Sequence, residues 1–142
     1  MKTVYQAQVT SSGGRSGHVK SADGVIDFDT ALPKEMGGKG GAPNPELLFA
    51  AGYASCFENA ILHIARGHKL NPGKTSVDAK VGIGPNESGG FILAVTLDIH
   101  LPELEQAVAQ KIMEEAHQVC PYSNATRGNI DVQISLVEFK NA

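Results

Sequence analysis

The feature that most constrains the fold is a long apolar segment that begins directly after a loop rich in glycine and proline. Residues 33–45, PKEMGGKGGAPNP, contain four glycines and three prolines, which predicts a loop too long for a hairpin turn. Asn44 is a good helix cap, Pro45 suits the first helical position and Gly67 suits the stop. We therefore expect a helix from Pro45 to about Arg66. Because its apolar side chains cover most of its faces, we expect it to be central and buried. The core positions expected on it are Leu48, Phe49, Tyr53, Cys56, Phe57, Ala60, Ile61 and Ile64.

Short alternating segments on either side of this helix predict strands. Residues 3–9, TVYQAQV, and 24–30, GVIDFDT, alternate in polarity, and the segment 11–18, SSGGRSGH, predicts a turn between them. Residues 76–84 and 90–101 predict a hairpin around PNESGG, with a long and nearly continuous apolar second arm.

The last third of the chain predicts a second helix and a final strand. Pro102 opens the helix, which runs from Glu103 to about Val119, and residues 130–139, IDVQISLVEF, alternate cleanly as a strand does. The order of elements indicates a single α+β domain over residues 1–142, with mostly antiparallel pairing. The inward stripe expected on the second helix is Leu104, Val108, Ile112, Ala116 and Val119.

Composition narrows the classes of partner and the compartment. With 142 residues and a formal net charge of −3, the chain offers no broad basic surface for nucleic acid or anionic membrane. The N-terminal segment lacks an apolar signal region, and no apolar run approaches membrane-spanning length, so we expect a cytoplasmic protein. In a reducing compartment, two cysteines indicate catalysis, metal binding or simple burial rather than a permanent disulfide.

The two cysteines, Cys56 and Cys120, differ in their surroundings. Cys56 lies about three turns into the first helix, where a small buried side chain with no chemical role is the favoured interpretation of this feature alone. Cys120 ends the second helix, because Pro121 forbids its continuation. Unpaired carbonyls at such an end disfavour a thiolate. If the cysteines act together, Cys56 is therefore the better nucleophile and Cys120 the second thiol.

A reactive thiol needs a cation, and three arginines are candidates. Arg15 stands in a glycine-rich turn, from which it can be delivered to a distant pocket. Arg66 follows Cys56 by ten residues, or roughly 15 Å along a helix, and suits the helix C-terminus instead. The role of Arg127 stays open. Glu46 precedes Cys56 by the same ten residues, so it serves that thiol only if the helix begins late or a second subunit supplies it.

Metal binding has little support in the sequence. His117 and Cys120 have the spacing H-x-x-C, but two ligands do not make a zinc site. We predict no metal site.

Four segments together resemble one protein family. These are NPELLFAAGYASCF (44–57), HQVCPYSNATRGNIDV (117–132), GGRSGH (13–18) and VGIGPNESGGF (81–91). They resemble the organic hydroperoxide resistance (Ohr) proteins of the OsmC/Ohr superfamily, and the resemblance runs nearly end to end. The segment around Cys120 favours the Ohr branch over the OsmC branch.

The resemblance implies roles for four residues. Cys56 matches the peroxidatic cysteine and Cys120 the resolving one. Arg15 matches the arginine that activates the thiolate and orients the peroxide, and Glu46 matches the acid that holds this arginine. The implied fold is an OsmC/Ohr-like α+β fold, with mostly antiparallel sheets around two central helices.

The resemblance also implies an activity and partners. It implies an intertwined homodimer with two active sites at the subunit interface, acting in antioxidant defence. Organic hydroperoxides, alkyl or fatty-acid, would be reduced to alcohols with no bound cofactor or metal. The reductant would be dihydrolipoamide carried on lipoylated proteins.

Two other classes remain open from the residues alone. In a redox sensor or ligand-binding module, the same cysteines would oxidise without turning over. In a metal-binding or structural protein, they would be inert core side chains. Peroxide consumption with a dithiol, and thiol counts before and after peroxide, separate these classes from a peroxidase.

Overall fold

The computed structural model describes residues 1–137, which fall into two compact units, Met1–Leu48 and the part from Phe49 onward. The first unit holds a three-stranded antiparallel sheet of order β1-β2-β3. Its strands are β1 (Val9–Ser12), β2 (His18–Ser21) and β3 (Asp27–Asp29). Two short 3-10 turns, Gly14–Ser16 and Lys34–Met36, lie between β1 and β2 and after β3.

The predicted strands of this unit are only partly right. Residues 24–30 contain β3, but most of 3–9 is not a strand, because within residues 1–137 no strand pairs with residues 3–8. The turn at 11–18 is shorter than expected. Gly13 takes a φ of 82°, which reverses the chain tightly enough for β1 and β2 to pair right up to it. Strand β2 was therefore missed.

The second unit contains three helices and a second sheet. Helix α1 (Pro45–Gly67) begins in the last residues of the first unit. Strands β4 (Ser76–Pro85) and β5 (Phe91–His100) form the predicted hairpin. Helices α2 (Gln106–Val119) and α3 (Pro121–Thr126) then lead to β6 (Asp131–Val137), which pairs in parallel with β5. A parallel pair needs a crossover connection, which α2 and α3 supply. The α+β class with mostly antiparallel pairing is confirmed.

The core of the second unit gathers inward side chains from α1, β5 and α2. On α1 the buried residues recur every three or four positions from Tyr53 to Ala65, as one helix face requires. Strand β5 contributes Val95, Leu97 and Ile99, which alternate along the strand and are at most 2% exposed. The buried residues of α2 are Ala109, Ile112, Met113 and Ala116.

The first helix has the predicted bounds. The side chain of Asn44 accepts a hydrogen bond of 2.9 Å from the N–H of Leu47, so it caps the helix as expected. The expectation of burial holds for one face only, since Leu48 at its start is exposed.

Within residues 1–137, α1 is long and apolar enough, by length and composition alone, to cross a membrane. The expectation that no run approaches that length is therefore wrong. A core helix passes the same test, and α1 buries Tyr53, Phe57 and Ile61 in protein while carrying Glu46 and Glu58. Core packing accounts for its apolar face.

The second helix begins later than expected, at Gln106 rather than Glu103. The carboxylate of Glu103 instead accepts a hydrogen bond of 2.6 Å from the N–H of Lys74, which holds Glu103 outside the helix. Val119 is 45% exposed, so the prediction that it faces the core was wrong. The core-facing side of α2 is formed by the buried residues named above.

Helix α3 was not expected at all. Proline cannot continue α2, but it is well suited to the first position of a new helix, and Pro121 takes that position. Cys120 ends α2 as expected, and it lies directly before the first residue of α3. Of the last predicted strand, residues 138 and 139 lie outside the described residues, and the single-domain assignment stays a prediction.

The core packing predicts that alanine substitutions at two leucines differ strongly in their effect on the free energy of unfolding. Replacing Leu97, which is fully buried, by alanine leaves a cavity and should lower the free energy of unfolding by about 2–5 kcal/mol. Leu70→Ala, at a site that is 38% exposed, should cost less than about 1 kcal/mol. Urea denaturation at one fixed protein concentration measures both. Equal losses would contradict the assigned core.

Candidate active site

Arg15 sits in a turn that the first unit holds firmly. It occupies the 3-10 turn Gly14–Ser16, and a side chain at the following Gly17 would collide with the carbonyl oxygen of Ser12. The hydroxyl of Thr30 makes two hydrogen bonds to this turn. It accepts one of 3.1 Å from the N–H of Gly17 and donates one of 3.3 Å to the carbonyl of Gly14. The backbone that carries Arg15 is therefore fixed to the end of β3.

The guanidinium of Arg15 forms a bidentate ion pair with Glu46. Its two terminal nitrogens, Nη1 and Nη2, each donate a hydrogen bond of 2.8 Å to one carboxylate oxygen of Glu46. The side chain of Glu46 is 12% exposed and that of Arg15 is 36% exposed. Two parallel charge-assisted hydrogen bonds fix the plane of the guanidinium as well as its position. The predicted association of these two residues is thus present in the structure.

The ion pair shifts both ionisation equilibria toward the charged forms. Hydrogen bonding to Arg15 lowers the pKa of Glu46, and burial opposes this shift. Hydrogen bonding to Glu46 raises the pKa of Arg15 further above its already high value. The pair therefore stays ionised across the whole physiological range.

The two cysteines lie together in the second unit. Cys56 is on α1 and half-buried, whereas Cys120 is fully buried at the junction of α2 and α3. Both are free thiols, and Cys120 is close enough to act on Cys56 by hydrogen bonding and electrostatically. The predicted pairing of the two thiols in space is therefore met.

The first turn of α3 lies beside Cys56. The backbone N–H of Tyr122 lies close enough to the Cys56 sulfur to lower the pKa of that thiol. The ring of Tyr122 packs where Gly52, one turn before Cys56, has no side chain, and a Cβ at Gly52 would lie 2.9 Å from its Cζ atom. Phe49 and Tyr53 contact the same ring, with centroids 6.0 and 5.6 Å away. Three aromatic rings thus pack together between the first turn of α3 and the part of α1 that precedes Cys56.

The ionisation of Cys56 is disfavoured by its own surroundings. Burial raises the pKa of the thiol above its ordinary value, and the neighbouring Cys120 raises it further. The N–H of Tyr122 works in the opposite direction and lowers the pKa. A thiolate at neutral pH therefore needs an additional positive group.

A buried cluster of hydroxyl groups lies in the same unit. The Tyr53 hydroxyl is 2.8 Å from Ser123 Oγ and 3.2 Å from Thr126 Oγ1, and His117 Nδ1 is 2.8 Å from Ser123 Oγ. Burial, with a smaller effect from the charge of Arg127, lowers the pKa of His117, so its ring is neutral at pH 7. His117 is therefore a hydrogen-bonding partner of Ser123.

Arg127, whose role the sequence left open, joins α2 to α3. Its Nη2 atom donates hydrogen bonds of 2.6 Å to the carbonyl oxygen of His117 and 2.9 Å to Asn124 Oδ1. Sequence reasoning missed this cluster and the N–H of Tyr122, although a glycine one helical turn before Cys56 signals that another segment approaches closely there.

Comparisons with known proteins identify the family of this chain. Residues 38–135 match the family model described as OsmC-like protein. A protein of Xanthomonas axonopodis pv. citri named organic hydroperoxide resistance protein is 50% identical over 137 residues, which cover 95% of this chain and 96% of that protein. The chain belongs to the Ohr proteins of the OsmC/Ohr superfamily. That membership implies a part in hydroperoxide detoxification.

Solved Ohr structures share the fold. An Ohr protein from Elizabethkingia anophelis superposes with a TM-score of 0.93 at 49% identity, covering 98% of this chain and 100% of its own. OhrB of Bacillus subtilis gives a TM-score of 0.86 at 43% identity, covering 95% of this chain and 100% of its own. The predicted OsmC/Ohr-like fold is therefore confirmed.

The contact between Gly52 and Tyr122 predicts a change in thiol reactivity. Gly52→Ala should displace the Tyr122 ring, move the backbone N–H of Tyr122 away from the Cys56 sulfur and raise the thiol pKa further. Alkylation of Cys56 by iodoacetamide at pH 7, in a Cys120→Ser background, should slow by on the order of three- to tenfold. Gly67→Ala is the control, because a Cβ there meets open space on the same helix. Equal rates in the two variants would refute the contact.

The Arg15–Glu46 pair predicts a pH-dependent contribution to stability. Because the pKa of Glu46 is lowered on folding, its contribution is present above the ordinary value of 4.5 and is lost as pH falls through the folded value. Glu46→Gln should lower the free energy of unfolding by about 1 kcal/mol at pH 7, since solvent screens the partly exposed partner.

The same difference should shrink toward zero at acid pH. Urea denaturation of both proteins at pH 7 and below pH 4 measures it. Glu35→Gln removes an exposed acid of the same unit and should show little effect at either pH. A Glu46→Gln difference that stays constant down to acid pH would contradict the ion pair.

Proposed function

We propose that the chain is a thiol-dependent peroxidase that reduces organic hydroperoxides to alcohols, with Cys56 as peroxidatic and Cys120 as resolving cysteine. The observation that carries this proposal is the pair of neighbouring free thiols, one half-buried and one fully buried, in a chain of the Ohr family. The half-buried Cys56 is open to a substrate, whereas the enclosed Cys120 suits an internal partner.

The proposed reaction has two oxidative steps. The Cys56 thiolate attacks one peroxide oxygen, the O–O bond breaks, and the product alcohol leaves with one proton while Cys56 becomes a sulfenic acid. Cys120 then attacks the sulfenic sulfur, forming the disulfide and releasing water. The two electrons that reduce the peroxide come from the two thiols.

The Arg15–Glu46 pair is proposed to supply the positive charge that Cys56 needs. Burial and the second thiol raise the pKa of Cys56, so ionisation requires a cation that stays charged when partly desolvated, as guanidinium does. Glu46 holds Arg15 by both nitrogens, which fixes the remaining N–H groups for a peroxide oxygen. We further propose that the active protein is an intertwined homodimer, in which either subunit can contribute this pair.

Apolar hydroperoxides and a lipoyl dithiol are the proposed substrates. The partly buried rings of Phe49 and Tyr122 favour alkyl or fatty-acid chains over hydrogen peroxide. A Vibrio cholerae protein assigned to organic hydroperoxide resistance, 54% identical, has captopril bound in one of its active sites, which supports a site that admits small organic molecules. Dihydrolipoamide on a lipoylated protein would then reduce the disulfide by exchange, in the cytoplasm and without a bound cofactor or metal.

Mass spectrometry after one equivalent of tert-butyl hydroperoxide tests the two oxidative steps. Wild type should lose about 2 Da as the disulfide forms, and Cys120→Ser should gain about 16 Da as the sulfenic acid is trapped on Cys56. Arg15→Ala should slow the oxidation of Cys56 about tenfold or more, because the thiolate loses its cation. If the peroxide stays intact and neither mass changes, the cysteines are inert core residues.

Steady-state assays with dihydrolipoamide separate an enzyme from a sensor. A peroxidase should consume many equivalents of hydroperoxide per chain, whereas a redox sensor should stop after one. A single turnover in the presence of excess dihydrolipoamide would overturn the proposed recycling.

A further inference from the structure

The buried hydroxyl cluster has no part in the mechanism described so far. It consists of Tyr53 on α1, Ser123 and Thr126 on α3, and His117 on α2. Tyr53 and Ser123 are fully buried. Among residues 1–137, every buried side-chain nitrogen or oxygen in the second unit has a hydrogen-bond partner, so the cluster is completely satisfied.

The cluster joins the two segments that carry the thiols. Tyr53 precedes Cys56 by three residues on α1, and Ser123 follows Cys120 by three residues at the start of α3. Each hydroxyl therefore lies about one helical turn from a cysteine. The bond of 2.8 Å between Tyr53 and Ser123 ties these two turns together across seventy positions of sequence.

Stability alone does not account for the polar atoms. Phenylalanine at position 53 would keep the aromatic contacts with Phe49 and Tyr122, which pack at centroid distances of 6.3 and 5.6 Å. Burying several hydroxyl groups costs free energy unless each one is bonded, and apolar side chains avoid that cost. What a satisfied buried network adds is one fixed arrangement of the elements it joins.

We infer that Tyr53 is a positioning residue for disulfide formation. Its hydroxyl holds the start of α3, and with it Cys120, against the turn of α1 that carries Cys56. The inference rests on the proposed function, since it concerns the fate of the Cys56 sulfenic acid. The effective concentration of Cys120 at Cys56 depends on how tightly the two turns are joined.

Two reactions compete for that sulfenic acid. In resolution, the Cys120 sulfur attacks the Cys56 sulfur, the S–O bond breaks, and the departing hydroxide takes a proton to become water. In over-oxidation, a second hydroperoxide transfers an oxygen atom to Cys56, giving a sulfinic acid and one molecule of alcohol. Only the second reaction speeds up with peroxide concentration, so the peroxide needed for half over-oxidation reports the rate of resolution.

Tyr53→Phe tests the inference in the otherwise intact chain. The concentration of tert-butyl hydroperoxide that converts half of Cys56 to sulfinic acid, read by mass spectrometry, should fall at least fivefold. The equilibrium constant for disulfide formation against dithiothreitol should fall about tenfold, or about 30 mV for this two-electron couple. Tyr5→Phe, the same chemical change at an exposed residue of the first unit, should leave both values unchanged.

Two further measurements distinguish a loss of positioning from a general disruption of the site. In a Cys120→Ser background, Tyr53→Phe should leave the rate of the first oxidation of Cys56 within twofold of the unmodified background. Ser123→Ala removes the oxygen shared by Tyr53 and His117 and should shift the resolution readouts in the same direction, which keeps the test open if Tyr53→Phe does not fold.

The possible outcomes distinguish a failure of the proposed function from a failure of the positioning role of Tyr53. If wild type forms no disulfide with hydroperoxide or dithiothreitol, the proposed function fails, and this inference fails with it. If wild type forms the disulfide but both cluster variants match it in threshold and equilibrium constant, only the positioning role is overturned. A first oxidation that slows as much as resolution does would also overturn it.

Discussion

The close approach of α3 to α1 at Gly52 is the contact on which the thiol site depends. A Cβ at that position would collide with the hydroxyl end of the Tyr122 side chain, so glycine allows this ring to pack against α1. The backbone N–H of Tyr122 lies near Cys56, and Cys120 is buried at the start of the same helix. Gly52 thus leaves room for the aromatic ring beside the turn of α1 that carries Cys56.

The surroundings of Cys56 disfavour its charged form, which is why the proposed mechanism assigns the activation of this thiol to Arg15 and Glu46. A partly buried thiol with a raised pKa resists spontaneous ionisation, which protects it from indiscriminate alkylation and oxidation. A guanidinium held on two oxygens is always charged and already oriented.

The parts of the fold that depend on local signals could be predicted from the sequence. The start of α1 is one example, because Asn44 bonds to Leu47 only three residues away. The strand β2 was missed because the turn at Gly13 is tighter than expected, and α3 because Pro121 opens a new helix directly after α2. The parallel pairing of β6 with β5 was missed because it joins segments distant in sequence. For the candidate site, local arguments ranked Cys56 above Cys120, and the family resemblance supplied Arg15 and Glu46. The hydroxyl cluster left no local signal, because Tyr53 and Ser123 read as ordinary core and loop residues.

The unequal exposure of the two sulfurs has a consequence for the direction of thiol exchange. Cys120 is fully enclosed, whereas Cys56 is only half-buried. If this difference persists in the proposed disulfide, an incoming dithiol meets that bond at the sulfur of Cys56. Cys120 is then the leaving group, and the mixed disulfide forms on α1. The enclosed cysteine would pass through the whole cycle without touching a molecule from outside the protein.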